Sequence, residues 1–408
     1  MYDYNRRPAN YGPLILGVLL VFFVVAIAQM LRGAPDPEFT ITFPATSPLG
    51  QPRQPLLPEG GASIVAVTGL GVLGSAGSAE PRPIASITKM MTAHVILKDH
   101  PLNPGETGPV IELTAADEER WLEMVAQDQS SLPVYAGQRL TQLQLLQGLL
   151  IPSANNYAEI LAAWDAGSVA AFVDKMNAEA ASLGMDDTTY ADTSGFSSAT
   201  VSTPADQLIL ARTAMRDPVF AAIVRQEEIA IPAVGTVPSV NLLLGVDGVV
   251  GIKTGFTEEA GGNFAFAAIR DVAGQQVDVY GIILGQGDGI DGFESRQAAF
   301  AATQTAIRDL ENGLEFRLVL SNRQPMATVT TDWGDEVDLV ITEDVMLLTW
   351  PGVTMQTTVE VEDISPGKSA GEQVGWVNVI IGEQGRRLPL VLATDLDGPG
   401  IFWRLTRF

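Results

Sequence analysis

A change of hydrophobic period along the chain most constrains its fold. Short apolar runs around a Gly-rich turn predict a β-hairpin at 62–74, whereas the apolar positions of 141–151 and 169–185 recur at helical spacing. From about residue 246 the pattern returns to strands separated by Gly-containing turns. Because strands precede and follow a helical middle, the end of this segment can pair with its start. We therefore predict an α+β domain over 61–315.

The remainder of the chain, 316–408, is dominated by short strand patterns and predicts a separate, small all-β sandwich domain. This region carries four tryptophans. We expect them to form the core of that domain rather than a platform for glycan binding. They are Trp333, Trp350, Trp376 and Trp403.

The apolar run near the N-terminus predicts where the protein is located relative to the cell membrane. Arg6 and Arg7 precede a run from Leu14 to Leu31 that only Gln29 interrupts. This pattern predicts a transmembrane helix at 13–31 that acts as a signal anchor, with 1–12 cytoplasmic and the rest outside the cytoplasm. The alternative is secretion after signal-peptide cleavage near Ala28, because Ala26-Ile27-Ala28 resembles a small-x-small cleavage site. The Pro-rich segment 32–60 predicts a semi-extended linker between membrane and domain.

The composition of the chain argues against several kinds of partner and site. The chain has 24 basic and 48 acidic residues, a formal net charge of -24, which argues against a nucleic-acid partner. Without cysteines it has no disulfide, thiolate zinc site or cysteine nucleophile. The two histidines, His94 and His100, leave little room for a metal site or a serine-histidine couple, and we interpret them as polar helix residues.

A serine and a lysine three residues apart, Ser86 and Lys89, follow Pro83 at the predicted start of a helix. Residues at this spacing share a helix face, so the lysine amine can reach the serine hydroxyl. The helix dipole disfavours a lysine cation there, and a desolvated lysine beside a hydroxyl activates serine without histidine. The spacing alone is weak evidence, because Ser365 and Lys368 repeat it in a segment that Pro and Gly make a turn.

Two further motifs strengthen the hypothesis that Ser86 is a nucleophile and Lys89 its base. Ser153-Ala154-Asn155 follows a helical approach, although serine and asparagine at such a place are also ordinary helix caps. Lys253-Thr254-Gly255 lies on a predicted strand, and its glycine permits a close backbone approach. The separations are 67 residues from Ser86 to Ser153 and 100 from Ser153 to Lys253. The three motifs in this order are a signature of penicillin-binding proteins and class A β-lactamases.

The chain resembles the low-molecular-mass penicillin-binding proteins that are serine-type D-alanyl-D-alanine carboxypeptidases. The stretches that carry the resemblance are "ASITKMMTA", "YAGQRLTQLQLLQGLLIPSANN", "MNAEAASLGMDDTTYADTSGF", "STPADQLILA" and "VGIKTGFTEEAGGNFAFAA". They cover most of 62–312, and the ending is similar to the C-terminal β domain of many members. The resemblance implies a penicillin-binding/β-lactamase-like transpeptidase domain, an antiparallel sheet with a helical subdomain, followed by the β domain.

The resemblance also implies roles for the first two motifs. Ser86 would attack the carbonyl of the terminal D-Ala-D-Ala bond in a peptidoglycan pentapeptide, and Lys89 would accept its proton. Ser153 would relay a proton toward the leaving D-alanine, while Asn155 would hydrogen-bond the substrate amide. β-Lactam antibiotics would be covalent inhibitors. No metal or organic cofactor is implied.

For the third motif, the resemblance implies that Lys253 and Thr254 bind the terminal carboxylate of the substrate. The backbone N–H groups of Ser86 and Phe256 would form the oxyanion hole, with the peptide added as a strand beside Lys253-Thr254-Gly255.

Three functions stay open. A D-Ala-D-Ala carboxypeptidase is favoured, and the alternatives are a β-lactamase and a catalytically silent penicillin-binding protein with a role in wall scaffolding. One departure from the family pattern bears on them. Relatives often carry a carboxylate-binding arginine where this chain has Gly292, and Arg296 follows four residues later.

Overall fold

The computed structural model describes residues 10–287, 289, 291–362 and 364–407, so the predicted cytoplasmic segment 1–12 lies mostly outside the described residues. The helices of the described residues are α1 (Gly12–Leu31), α2 (Lys89–Asp99), α3 (Ala115–Ala126), α4 (Gln142–Leu150), α5 (Asn155–Ala166), α6 (Val169–Ser182), α7 (Pro204–Ala214), α8 (Pro218–Val224), α9 (Gly292–Glu311) and α10 (Ile401–Thr406). Short 3-10 helices occupy Ala85–Thr88 and Val246–Gly248.

The strands of the first two thirds of the chain are β1 (Glu38–Ile41), β2 (Thr46–Pro48), β3 (Ala62–Val67), β4 (Gly71–Gly77), β5 (Arg82–Pro83), β6 (Val110–Glu112), β7 (Arg139–Thr141), β8 (Val201–Ser202), β9 (Glu228–Ile231), β10 (Gly235–Pro238), β11 (Val249–Thr257), β12 (Gly261–Val272) and β13 (Gln275–Gln286). Those that follow are β14 (Glu315–Leu320), β15 (Pro325–Thr330), β16 (Glu336–Ile341), β17 (Val345–Thr349), β18 (Thr354–Val361), β19 (Gln373–Ile381) and β20 (Gln384–Leu392).

The chain divides into two compact units. The larger unit holds Gly50–Phe316 and Leu348–Gly352. The smaller unit holds the residues before Gly50, Arg317–Leu347 and the residues from Val353 onward.

A five-stranded antiparallel sheet, ordered β11-β12-β13-β3-β4, forms the framework of the larger unit. Strand β13, near the end of the predicted domain 61–315, pairs with β3 at its start, with Val279 opposite Val67 and Ile283 opposite Ser63. The predicted pairing of the end of this segment with its start is thus confirmed. Helices α7 and α9 pack against the sheet.

Helix α2 is the centre of the helical part of the larger unit. It contacts α4, α5, α6, α7 and α8, and every residue from Lys89 to Ala93 is buried. A helix that is apolar on most of its circumference must be enclosed by other elements. The first residue of this enclosed helix, Lys89, therefore lies where water is largely excluded.

The smaller unit contains a seven-stranded sheet, ordered β1-β15-β16-β20-β19-β18-β2, in which every neighbouring pair is antiparallel. The sequence predicted a small all-β sandwich for 316–408. The described residues confirm a second β-rich region, which consists of this sheet and the two-stranded sheet of β14 and β17, and the sandwich arrangement stays a prediction. Short strand patterns identify strands but do not fix how many sheets the strands build.

The segment 32–60 also differs from the predicted semi-extended linker. Its residues 38–41 and 46–48 are the two edge strands of the seven-stranded sheet, Glu38 pairing with Thr330 and Thr46 with Gln356. Prolines are tolerated at sheet edges, so a Pro-rich composition does not exclude short edge strands.

The N-terminal helix α1 is solvent-exposed along almost all of its length. By length and composition it can cross a membrane, and it is the one helix of that kind among the described residues. The same length and composition also fit a signal sequence.

The four C-terminal tryptophans do not form a common core, contrary to expectation. Trp350 is buried, but it belongs to the larger unit, where its indole N–H donates to the Arg53 carbonyl at 2.8 Å. Trp333 and Trp403 are partly exposed and contact each other edge to face, while Trp376 stacks on the Arg387 guanidinium. The apolar interior of the β region consists mainly of valine, leucine and isoleucine.

Candidate active site

The serine and lysine of the first motif meet at the junction of two helices. Ser86 lies in the 3-10 helix Ala85–Thr88, and Lys89 is the first residue of α2. Lys89 Nζ lies 2.7 Å from Ser86 Oγ and donates a hydrogen bond to the Ser194 carbonyl at 3.0 Å. Ser86 is half-buried, whereas Lys89 is completely buried. The geometry therefore provides a hydroxyl open to the surface with an amine beneath it.

Burial changes the charge state of this amine. Desolvation lowers the pKa of Lys89 to about 7, and the negative charge of Asp192 opposes this shift. A lysine with a pKa near neutrality is often unprotonated at physiological pH and accepts a proton from a neighbouring hydroxyl. Neither histidine contributes here, since His94 contacts Glu179 and His100 contacts Asp165.

The segment around Ser194 supports Lys89 from the other side, and sequence reasoning gave it no role. Asp192 accepts hydrogen bonds from the Thr200 hydroxyl at 2.6 Å, the Phe196 N–H at 2.8 Å and the Ser194 hydroxyl at 2.9 Å. These bonds fix the loop that presents the Ser194 carbonyl to Lys89. The stretch "ADTSGF" belongs to the family resemblance, which was the one signal in the sequence for this loop.

Two glycines allow backbone segments to pack closely around Ser86, the predicted nucleophile. A Cβ built on Gly195, whose φ is +80°, would lie 1.8 Å from the Ala85 carbonyl oxygen. A Cβ on Gly255 would lie 3.0 Å from both the Ser86 backbone nitrogen and the Ile84 carbonyl oxygen. The close backbone approach predicted for Gly255 is thus present, and the backbone that it approaches is that of Ser86 and Ile84.

The second motif approaches Ser86 from the helical part of the unit. Ser153 is 5% exposed, and its φ of +70° is unusual for a residue other than glycine. The N-cap of α5 is Ala154, which makes no side-chain cap bond, so neither Ser153 nor Asn155 serves as the helix cap. Ser153 and Ser86 instead line one small cavity. A strained backbone that presents a hydroxyl beside a nucleophile is more consistent with a functional role than with a cap.

Asn155 begins α5 and lines the main cleft with Ser86. Its side-chain N–H donates to Gln129 Oε1 at 2.8 Å, and its backbone N–H donates to the Ser130 carbonyl at the same distance. The segment that holds Asn155 in place was also missed from the sequence, because it is 26 residues away along the chain.

The third motif lies on the edge strand β11, in register with β12: Lys253 is opposite Ala265 and Thr254 opposite Phe264. Lys253 and Thr254 are buried, and Lys253 Nζ donates to the Thr254 carbonyl at 3.0 Å. Desolvation holds the pKa of Lys253 well below its usual value, and the nearby charges of Lys89 and Arg296 lower it further. Lys253, Lys89 and Arg296 thus lie near one another and supply hydrogen-bond donors, and Arg296 is the group among them that keeps its positive charge.

Arg296 projects into the same site from α9. It lines both cavities that contain Ser86, and its guanidinium lies 5.9 Å from the centroid of the Phe256 ring. Burial lowers the pKa of Arg296, and none of the described residues forms an ion pair or hydrogen bond with its side chain. A Cβ on Gly292 would come within 2.7 Å of the Phe256 ring, so that ring occupies the space a side chain at 292 would need.

Ser86, Asn155, Phe256, Gly292 and Arg296 line an open cleft of about 600 Å³ at the surface of the larger unit. A half-buried serine beside a desolvated lysine, a second serine and an arginine at the same cleft are the groups that a serine-lysine acyl-transfer enzyme uses.

Comparison with known proteins identifies the family. The family model for D-alanyl-D-alanine carboxypeptidase, peptidase family S11, matches residues 59–286, more than half of the chain. The chain belongs to this family of serine peptidases.

Two individual relatives are described as D-alanyl-D-alanine carboxypeptidases, and one solved structure shares the fold. A D-alanyl-D-alanine carboxypeptidase from Streptomyces sp. (strain K15) is 32% identical over an alignment of 206 residues, and the alignment covers 46% of this chain and 69% of the relative. D-alanyl-D-alanine carboxypeptidase DacB2 from Mycobacterium tuberculosis is 33% identical over an alignment of 195 residues, and the alignment covers 46% of this chain and 62% of the relative. Penicillin-binding protein 5 from Haemophilus influenzae matches 85% of this chain and 99% of its own, with a TM-score of 0.58 at 19% identity, which shows a shared fold.

The close approach of Gly195 to the nucleophile generates a prediction. We expect Gly195→Ala to destabilise the protein and to slow acylation by a fluorescent penicillin, because a methyl group would displace Ala85 and with it Ser86. Gly184→Ala is the matched control, since Gly184 has φ +75° with nothing within 4 Å of its Cβ position. Left-handed strain alone costs about 1–2 kcal/mol in either variant, and overpacking adds about 1–3 kcal/mol only at Gly195.

Denaturant unfolding measures the loss of stability, and the rate of reaction with the fluorescent penicillin measures the slowing of acylation. Equal losses of stability in the two variants, with wild-type acylation in both, would contradict the proposed role of this contact.

Proposed function

We propose that the protein removes the terminal D-alanine from peptidoglycan stem peptides through an acyl-enzyme on Ser86. The observation that carries the proposal is the 2.7 Å approach of a fully buried lysine amine to a half-buried serine hydroxyl. Membership of the carboxypeptidase family supports the substrate class.

In the proposed acylation step, Ser86 Oγ attacks the carbonyl carbon of the terminal peptide bond while its proton passes to neutral Lys89. Backbone N–H groups of Ser86 and Phe256 stabilise the developing oxyanion. As the C–N bond breaks, the proton moves from Lys89 through Ser153 to the amine of the departing D-alanine. Water then hydrolyses the ester, releasing the shortened peptide and restoring the Ser86 hydroxyl.

We assign recognition of the terminal carboxylate to Lys253, Thr254 and Arg296. Support for Arg296 comes from its half-buried guanidinium, which faces the cleft without an anionic partner among the described residues. An arginine from the next turn of α9 takes the place of a side chain at Gly292, where the Phe256 ring leaves no room. Asn155, held by Gln129, binds the backbone amide of the substrate on the acyl side.

The two other functions are less favoured. A β-lactamase needs rapid hydrolysis of the penicillin ester, and the family is that of carboxypeptidases. A silent scaffolding protein has no need for a buried lysine of lowered pKa beside a strained serine, since both features cost stability.

We also propose that α1 is retained as a membrane anchor that holds the enzyme outside the cytoplasm. Within the smaller unit, the Arg407 guanidinium donates to the carbonyls of Gln29, Arg32 and Gly33. The Gln29 side-chain N–H donates in turn to the Arg407 carbonyl at 2.8 Å, and Leu405 lies against the apolar face of α1. Cleavage near Ala28 would remove the helix on which the C-terminal segment packs.

D-Alanine release tests the central proposal. We expect wild-type protein to release D-alanine from diacetyl-L-Lys-D-Ala-D-Ala, and Ser86→Ala to reduce the rate by about 10³-fold or more, because the nucleophile is lost. Ser365→Ala is the matched control, since Ser365 and Lys368 have the same spacing in a turn and should be dispensable. Protein that is folded and acylated by penicillin but releases no D-alanine would refute the carboxypeptidase proposal. Rapid, repeated penicillin hydrolysis would favour a β-lactamase.

The role of Arg296 is tested by a substrate pair. Arg296→Gln should lower kcat/KM for a peptide ending in a free carboxylate by about 10- to 100-fold, the usual loss for a hydrogen bond to a charged group. The same peptide with a C-terminal amide should be far less affected. Arg308→Gln, on the same helix but paired with Asp247 outside the cleft, is the control. Equal losses on both peptides would show that Arg296 does not bind the carboxylate.

A further inference from the structure

The groups that the proposed function assigns to the substrate divide between two neighbouring cavities. Asn155 lines the main cleft, whereas Ser153 and Thr254 line a smaller cavity of about 130 Å³. Ser86 and Arg296 line both cavities, so the two adjoin at the reacting serine. Each cavity therefore offers binding groups to a different part of the peptide.

Under the proposed function, the terminal D-alanine of the substrate occupies the smaller cavity. Its nitrogen receives a proton through Ser153 as the bond breaks, and its carboxylate binds Thr254 and Arg296, all of which line this cavity. Both polar ends of the terminal residue are thus fixed, and its side chain has to lie against the remaining wall. The nature of that wall decides which terminal residues fit.

Val240 and Pro152 supply aliphatic surface to the wall of the smaller cavity. Neither side chain carries a charge or a hydrogen-bonding group, so the contact they make discriminates by size and shape. At roughly 30 Å³ per water molecule, a volume of about 130 Å³ is equivalent to about four waters. This space suits a residue as small as alanine and is too small for a bulky one.

The loop that carries Val240 is held in place by its backbone. Val240 is half-buried, and its N–H donates to the Ile151 carbonyl at 3.3 Å. The preceding Ser239 donates through its N–H to the Glu227 carbonyl at 2.7 Å, and the following residue, Asn241, is buried. A wall that is fixed on both sides of Val240 does not withdraw from a larger side chain without breaking these contacts.

We propose that Val240 is a specificity-determining residue that limits the C-terminal residue of the substrate to a small side chain. This inference rests on the proposed function and adds to it the residue that distinguishes terminal D-alanine from larger D-amino acids. A methyl group buried against Val240 favours D-alanine over glycine by about fourfold, the usual contribution of one buried CH₂ group. A branched side chain overfills the same space.

Three peptides that differ only in the terminal residue test the proposal: diacetyl-L-Lys-D-Ala followed by glycine, D-alanine or D-leucine. All three release the same product, diacetyl-L-Lys-D-Ala, which chromatography quantifies. For wild type we expect kcat/KM to be highest with D-alanine, about fourfold lower with glycine and lower by about tenfold or more with D-leucine, because overpacking against a fixed wall weakens binding.

Val240→Ala should raise the D-leucine to D-alanine ratio of kcat/KM by about tenfold, because it removes the obstructing methyl groups. Val240→Leu should act in the opposite direction and favour glycine over D-alanine. Val246→Ala is the matched control, since it truncates an exposed valine of the 3-10 helix Val246–Gly248, outside the cavity, and should leave both ratios at their wild-type values.

Each ratio compares substrates within one variant, so a loss of folded protein does not change it. Equal kcat/KM for the three peptides in wild type, or a D-leucine to D-alanine ratio that Val240→Ala leaves unchanged, would overturn the proposal. Wild-type protein that is acylated by a fluorescent penicillin but cleaves none of the peptides would instead contradict the carboxypeptidase function. The two failures are therefore distinguishable.

Discussion

The site depends on one interaction, the contact of a serine hydroxyl with a buried lysine amine whose pKa burial lowers to about 7. A charged Lys89 in this position would be costly, because it has only neutral oxygens within hydrogen-bond distance. Enclosure of α2 by the surrounding helices removes water from the amine, and the Ser194 carbonyl orients it. The helical part of the fold thus sets the basicity of Lys89, while the sheet supplies the strand on which substrate is proposed to lie.

Close packing makes this arrangement possible. Gly195 and Gly255 bring two backbone segments, the loop after Asp192 and the strand β11, against the short helix that carries Ser86. Each of these contacts is sensitive to a single methyl group. We therefore expect stability and catalysis to be coupled at Ser86, and the strained backbone of Ser153 is a second place where a site residue costs stability.

Local patterns predicted a large part of this protein. The spacing of Ser86 and Lys89 on a helix, and the return of β13 to β3, follow from period and order in the sequence. Contacts between distant segments were not predictable, because no local sequence pattern indicates which segments will meet. Examples are the Ser194 carbonyl that accepts a hydrogen bond from Lys89 and the bond between Gln129 and Asn155. Strands β1 and β2 in the Pro-rich segment were missed for a related reason. Their partners, β15 and β18, lie almost 300 residues later or more in the chain, so no local pattern indicates the pairing.

The most direct test of the account is the pKa of the Lys89 amine, measured by NMR titration of protein labelled at the lysine side chains and assigned with Lys89→Arg. We expect a midpoint of about 7, so that the neutral amine increases as pH rises through this value, and the rate of penicillin acylation should rise with the same midpoint. A Lys89 amine that stays protonated above pH 9, with acylation still rapid at pH 7, would contradict the proposal that it is the neutral base for Ser86.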